Sequence, residues 1–521
     1  MMRLMRNTTF TRATAAAVTG MILLPAAVTG PAAAETGHRD LELTFLGRHT
    51  TGTVAAGASE ITAYDARTRR VFVVNAQAGT LDVLDIRDPR TPRKVATLAT
   101  PGANSVAVHD GLVAVAQQAA VKTEPGTVAF FSAATGKKIK EVTVGALPDM
   151  VTFTPDGRRV VVANEGEPES YCEGKTADPE GSVSVVDVRR WTVRTAGFAA
   201  FDAARLRAEG VRISGPGATA ARDLEPEYIT VDRDTAYVTL QENNALAIVD
   251  LDRAAVRDIV PLGLKDWSAS GMDASDKDGK TDIRPRPVKG MYQPDAVTHF
   301  RDRGRTYLVT ANEGDGREWG CHADEVRVKS LNLSAAAFPD AALKQDAELG
   351  RLNVAADSPR DASGAYTELH AFGARSLSIR TASGELVWDS GDGLERLIAQ
   401  RLPEQFNADN EENDSADSRS DNKGPEPEGV TVGEVRGRTY AFAGLERVGG
   451  VVAYDVSDPR APRAAGYVNT RDFAGSVGDG TAGDVGPEGL LFVPAAQSPT
   501  RRPLLVVGNE VSGTTSIYEI R

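Results

Sequence analysis

Cysteine is nearly absent from this 521-residue chain, which has two, Cys172 and Cys321. That excludes a disulfide-dense mini-scaffold, and without Cys-x-x-Cys spacing the pair makes no zinc site. Histidine is almost as scarce: six are scattered, with neither HxxxH nor HExxH spacing, which speaks against a zinc hydrolase. No GxSxG elbow and no Walker loop occurs, so an elbow-borne serine nucleophile and a phosphate-cradling P-loop are set aside. Beyond the N-terminal region no apolar run is long enough to span a bilayer. Basic charge is also short, with 59 Lys and Arg against 72 Asp and Glu and a net charge of −13. An acidic surface argues against nucleic acid and anionic membrane as partners and favours cations.

The N-terminus reads as a targeting segment. Arg3, Arg6 and Arg12 precede an apolar stretch from Ala15 to Val28, and Ala32-Ala33-Ala34 offers a small-residue cleavage site. Residues 1–34 are therefore expected to be a secretory signal, leaving one domain over residues 35–521 in the extracellular space. Thr19, Gly20, Pro25 and Gly30 interrupt the rival reading, a membrane anchor. Loss of three arginines and no acid would take the net charge from −13 to −16. The chain ends on a strand-like TTSIYEIR with no anchor pattern, and a monomer is expected.

What the chain has in quantity is one repeated phrase: a strand opening on Pro-Glu or Pro-Asp, then a strand closing on Asn-Glu. Glu227 opens EYITV and Glu242 closes AYVTLQE; Asp295 opens DAVTHF and Glu313 closes YLVTANE. Glu428 opens EGVTV and Glu446 closes YAFAGLE; Glu488 opens EGLLFV and Glu510 closes LLVVGNE. Earlier units carry Glu60 with Gln77, Asn104 with Gln118, and Asp149 with Glu165. Each unit continues through a further alternating strand ending near Asp, and several add an outer strand such as KVATL, KEVTV, VRDIV or RAAGYV. Repetition of antiparallel meanders at this count predicts an all-β, seven-bladed β-propeller. The seventh unit lacks an outer strand, and residues 41–49, LELTFLGRH, have no unit of their own, so the N-terminal strand is expected to complete the last blade. Helical and loop insertions are placed at residues 189–224, 252–292 and 319–425. FPDAALKQDAELGRL and GLERLIAQRL have helical spacing, and residues 407–424 are too polar to build core and are expected to be disordered without a ligand.

In a propeller the innermost strand begins, and the next strand ends, on one face. The opening and closing acids would therefore crowd one channel mouth, up to eleven carboxylates in all. Like charges that close must protonate, pair with Arg or Lys, or bind metal. The candidate ligands are Glu165, Glu227, Glu242, Asp295, Glu313, Glu428, Glu446, Glu488 and Glu510. All-oxygen donors favour Ca²⁺, with Mg²⁺ second. The competing reading has each acid accept backbone N–H bonds and hold blade geometry. A second candidate is the local run DASDKDGKTD, where Asp276, Asp278 and Asp282 surround a turn glycine, without the twelfth-position Glu of an EF-hand. Arg317, Arg419, Lys423 and Arg447 lie among the acids, either as neutralising charges or, with a metal, as a grip on a phosphate ester. Cys172 and Cys321 each follow an Asn-Glu-Gly phrase in matching loops, placing a disulfide against two free thiols.

The phrases VTFTPDGRRVVVANEGEP, YVTLQENNALAIVDL, TYLVTANEGDGRE, SRSDNKGPEPEGVTVGEVRGRTYAFAGLERVGG and GPEGLLFVP resemble the choice-of-anchor I family, related to mesenchyme-specific cell-surface glycoproteins of biomineralising tissue. The likeness runs over nearly all of residues 41–521. It implies a secreted or surface-attached propeller, makes calcium binding a natural expectation, and points to an extracellular protein or polysaccharide as partner. Some relatives carry an alkaline phosphatase label, which implies a calcium-dependent phosphomonoesterase as the alternative. The resemblance also marks the two cysteines as additions to the usual loops.

Overall fold

Strands such as Arg70–Asn75 (RVFVVN) and Leu504–Asn509 (LLVVGN) are apolar at every inner position rather than at alternate ones. Period-two side chains point to opposite faces, so such a strand needs cover on both sides. The computed structural model, which describes residues 41–54, 57–175 and 177–521, supplies that cover by packing sheets face to face. The expected signal segment lies outside the described residues.

Seven four-stranded antiparallel sheets follow in chain order. Their first two strands are Thr62–Asp65 and Arg70–Asn75, Ala103–His109 and Leu112–Gln117, Pro148–Phe153 and Arg159–Asn164, Pro226–Asp232 and Thr235–Leu240, Val297–Asp302 and Arg305–Asn312, Pro427–Val435 and Arg438–Leu445, and Pro487–Val493 and Leu504–Asn509. In the last sheet Thr514–Ile520 pairs antiparallel with Leu43–Thr50 from the other end of the described chain. The first strand of each sheet lies against that of the next, and the seventh against the first. This is the arrangement of a β-propeller.

The core is divided accordingly. Phe72, Val74 and Val83 of the first sheet pack on Val113, Val115 and Phe131 of the second, while Val71 and Val73 face Leu504, Val506 and Ile517 of the seventh. Equivalent layers join the second and third sheets, the third and fourth, and so on through the sixth and seventh. Each fully buried Val, Leu or Phe contributes about 1.5–3 kcal/mol, which sets these layers as the main source of stability.

The insertions differ in part from expectation. Thr192–Gly197, expected within an insertion, is the outer strand of the third sheet. Its sequence TVRTAG offers only Val193 and Ala196 as apolar positions, which leaves little strand pattern to read. Gly393–Arg401 is helical as its spacing predicts, but FPDAALKQDAELGRL forms only a 3₁₀ turn over Ala341–Lys344, capped by Asp340. An eighth sheet, five-stranded, gathers Leu264–Asp266, Lys289–Met291, His370–Ala371, Asn353–Ala355 and Glu325–Arg327 from two insertions. Residues 407–424 are also ordered. Their polar groups find partners inside the protein: Asn407 donates to Glu395, Arg375 to the carbonyls of Ser420 and Asn422, and Arg471 to those of Asp409 and Glu412.

Candidate functional site

The repeated phrase has a backbone cause. In the third, fourth, sixth and seventh sheets the strand register breaks just after the opening proline, at Asp149, Glu227, Glu428 and Glu488, and in the second sheet at Asn104. A bulge re-aims the side chain it carries, and here it carries the opening acid. The residue before the proline takes a left-handed conformation in several units, including the non-glycines Leu147 (φ 46°), Gln293 (φ 41°) and Glu426 (φ 48°). That turn aims its carbonyl at the closing residue. The Glu165 N–H donates to the Leu147 carbonyl at 2.8 Å, Glu446 to Glu426 at 2.9 Å and Glu510 to Gly486 at 2.8 Å. Opening and closing acids of one sheet are thereby tied to a common rim.

The two halves of Asn-Glu do different work. Asn164 is fully buried and donates to the Ser182 and Ser184 hydroxyls, and its Oδ1 accepts from Gly145 N–H. Asn312 donates to Ser376 and Ser378, and Asn509 to Thr514. The asparagines lace strand ends together, while the glutamates face the rim.

Three carboxylate triads result, each with one oxygen per residue within 4.8 Å of the others: Glu60, Glu488 and Glu510; Glu165, Glu227 and Glu242; Glu313, Glu426 and Glu446. Burial, then neighbouring carboxylates, holds Glu165, Glu227 and Glu488 well above the ordinary carboxylate range. Glu60 is pushed up to about 8 by burial, Glu510 and Asp149. Asp295 and Glu428 are raised in the same way. Burial and then the charges of Asp295, Glu488, Asp149 and Glu428 all raise the Tyr228 phenol, so acids from four sheets act on one central space.

The four cations expected among the acids are all engaged by them. Arg317 is 2% exposed and gives Nε and Nη2 to Glu225 at 3.0 and 2.9 Å and Nη1 to Ser214, with Asp223 beside it. Arg419 and Arg447 both bind Glu426, and Lys423 lies 2.7 Å from Glu313 and 3.4 Å from Glu426. Burial would raise Glu426, but Lys423, Arg419 and Arg447 outweigh it and hold it at about 2. Glu225 and Glu426 are not among the sequence candidates, although both stand in a Glu-Pro-Glu phrase two residues before an opening acid. That shared phrase is the signal by which they could be found. Asp223, Arg212 and Asp324 carry none, since loops far apart in sequence bring them together.

The DASDKDGKTD run is laid out differently. Asp276 pairs with Arg351 and Lys277, and Asp282 with Arg284 at 2.8 Å and Arg286 at 3.2 Å. Asp278 accepts from Lys280 N–H, and its other oxygen is buried without a protein donor among the described residues. Asp276, Asp278 and Asp282 are not among the close carboxylate triads of the described residues.

Cys172 and Cys321 form a disulfide, S–S 2.15 Å, joining the loops that follow Glu165 and Glu313. Among the described residues no helix is long and apolar enough to cross a membrane.

Comparison with known proteins adds a family to this geometry. Gigasin-3a of Magallana gigas is 32% identical over 190 residues, covering 34% of this chain and 67% of that protein. A mesenchyme-specific cell surface glycoprotein of Strongylocentrotus purpuratus is 31% identical over 298 residues, or 49% of this chain, and the match spans 38% of that protein's length. Among solved structures, the hydrazine synthase of Kuenenia stuttgartiensis aligns over 90% of this chain and 99% of its own, at a TM-score of 0.46 and 12% identity. The family model of the choice-of-anchor I domain matches residues 60–459, and the chain belongs to that family.

Proposed function

We propose that this is a secreted extracellular protein, a seven-bladed β-propeller closed by its N-terminal strand, that binds a divalent cation at its acidic rim, calcium in preference to magnesium. Seven sheets with seven intervening core layers, and the pairing of Leu43–Thr50 with Thr514–Ile520, support the closed ring. The disulfide and the cell-surface name of one relative support the extracellular setting. The observation that carries the cation reading is a set of buried carboxylate oxygens on Glu227, Glu242, Glu428 and Glu488 without a hydrogen-bond partner among the described residues. A buried polar atom left unpaired costs about 1–3 kcal/mol, which a bound cation would relieve where such oxygens lie close together, as those of Glu227 and Glu242 do. Oxygen-only donors suit a hard cation.

The phosphomonoesterase alternative has less behind it. Arg317, Arg419, Lys423 and Arg447 are each committed to carboxylates, so a phosphate would have to displace a buried partner to use them. Calorimetry with Ca²⁺ on chelator-stripped protein tests the main reading. Heat of binding accompanied by a rise in Tm is the expected result. Absence of both at millimolar calcium removes the cation and leaves an extracellular interaction scaffold.

A further inference from the structure

Two of the carboxylate triads share a construction: the closing Glu of one sheet, an acid at the opening of the next, and that next sheet's closing Glu. Their surroundings are opposite. In the Glu313, Glu426, Glu446 triad every side chain already has a donor. Glu313 accepts from Lys423 at 2.7 Å and from Gln241 at 3.0 Å; Glu446 accepts from Asn410 at 2.9 Å and lies 3.2 Å from Arg447. Glu426 is held by Arg419, Arg447 and Lys423. Three carboxylates meet three cations, and no buried oxygen of theirs lacks a partner.

In the Glu165, Glu227, Glu242 triad no ion pair to any of the three is formed among the described residues. Glu227 is 8% and Glu242 6% exposed, and the Oε2 atom of each is buried without a donor. The adjacent arginine does not serve them, because Arg317 spends its guanidinium on Glu225, Asp223 and Ser214. Geometry separates a bound ion from mere crowding. Calcium–oxygen distances run at about 2.3–2.6 Å, so oxygens on one ion lie no more than roughly 5 Å apart. Each residue of the triad offers an oxygen within 4.8 Å of the other two. The backbone fixes two of the three, Glu227 on its bulge and Glu165 through its bond to Leu147. The Glu60, Glu488, Glu510 triad meets the same distance limit, but all three of its residues are part-exposed, against Glu165 alone in the other triad. Of these three, Glu488 alone keeps a buried oxygen without a donor among the described residues.

We propose that Glu165, Glu227 and Glu242 hold one divalent cation of the calcium class, and that Lys423, Arg419 and Arg447 take the place of such an ion at Glu313, Glu426 and Glu446. This rests on the cation reading above and assigns it to one position between the third and fourth sheets.

The test is calcium binding to the chelator-stripped full chain, by calorimetry and by metal analysis after desalting. Glu227→Gln with Glu242→Gln keeps side-chain shape and removes both unpartnered anions; affinity should fall about tenfold or more. Glu313→Gln with Glu446→Gln should leave affinity within about threefold of wild type, since those groups are neutralised by the protein. Circular dichroism and Tm in chelator establish that each variant is folded. If the first double variant does not fold, Glu165→Gln at the more exposed corner replaces it, with a fall of about fivefold or more expected. Wild-type protein that takes up no calcium overturns the cation reading as a whole. Calcium bound by wild type and by folded Glu227→Gln, Glu242→Gln protein alike overturns this assignment alone, as does loss of binding in the folded Glu313→Gln, Glu446→Gln protein.

Discussion

At the scale of residues, the Asn-Glu phrase divides into a structural half and a rim half, and substitution should separate them. Asn164→Ala removes donors to Ser182 and Ser184 and leaves Gly145 N–H without its acceptor. A loss of about 1–3 kcal/mol is expected, read as a lower urea midpoint with unchanged slope. Glu165→Gln, one residue on, should leave the cation-free midpoint unchanged or raised, because it removes a carboxyl group whose ionisation is opposed by Glu167, Asp149 and Glu242. Equal losses for both would assign the two halves one role. A glycine makes a second case. A Cβ on Gly429 would lie 1.8 Å from the Glu488 carbonyl oxygen, so the sixth and seventh sheets meet there backbone to backbone. Gly429→Ala should destabilise by about 1–3 kcal/mol; a neutral effect in thermal unfolding would show that the two sheets part freely. The preceding residue, Glu428, is legible in the sequence as a repeated acid. Its role is not, because a ligand and a strand-end fixture both read as acid after proline.

At the scale of elements, strand order is legible because period-two patterning and turn residues are local. The fifth sheet is completed by SLSIRT and LVWD, which pair locally with each other despite the long insertion before them. Thr192–Gly197 escapes recognition because TVRTAG has only Val193 and Ala196 to carry the apolar pattern on which recognition depends. Residues 407–424 depart from expectation for the converse reason. Composition reports what a segment cannot bury, and this one is held by hydrogen bonds from Arg375 and Arg471, which approach from elsewhere in the chain. The same long-range logic governs the insertions over the rim. Arg317 joins the loop after the fifth sheet's second strand to Glu225 and Asp223 at the entrance of the fourth sheet, all three almost fully buried. Arg317→Met leaves two buried acids without their cation, a change worth about 3–5 kcal/mol. Hydrogen exchange should locate that loss in residues 212–225 and 313–325. Loss spread evenly over all seven sheets would contradict a local clamp.

At the scale of the molecule, the acids set how stability depends on pH. Burial, followed by neighbouring charges, raises Glu60 to about 8, and burial with Glu167 raises Asp149 to about 7. Glu225 reaches about 7 because burial outweighs Arg317. In the unfolded chain these groups titrate at roughly 4. Between the two values the folded state binds more protons than the unfolded one, so stability falls as pH rises. The contribution is fully present below the unfolded values and is lost as pH climbs through about 7 to 8. Glu426 and Asp324 act in the other direction. Burial raises both, but the cations around Glu426 hold it at about 2 and Arg212 with Arg317 holds Asp324 low, so their contribution disappears on acidification through those depressed values. The cation-free protein should therefore be most stable in mildly acidic solution, and its Tm in chelator should drop between about pH 5 and pH 8. A divalent cation at Glu165, Glu227 and Glu242 supplies the positive charge that protons supply there at lower pH, so saturating calcium should lessen the loss on the alkaline side while leaving the acid side unchanged. A Tm in chelator that is flat or rises over the same interval would mean that the rim acids are ionised without penalty, and would remove the physical reason for an ion among them.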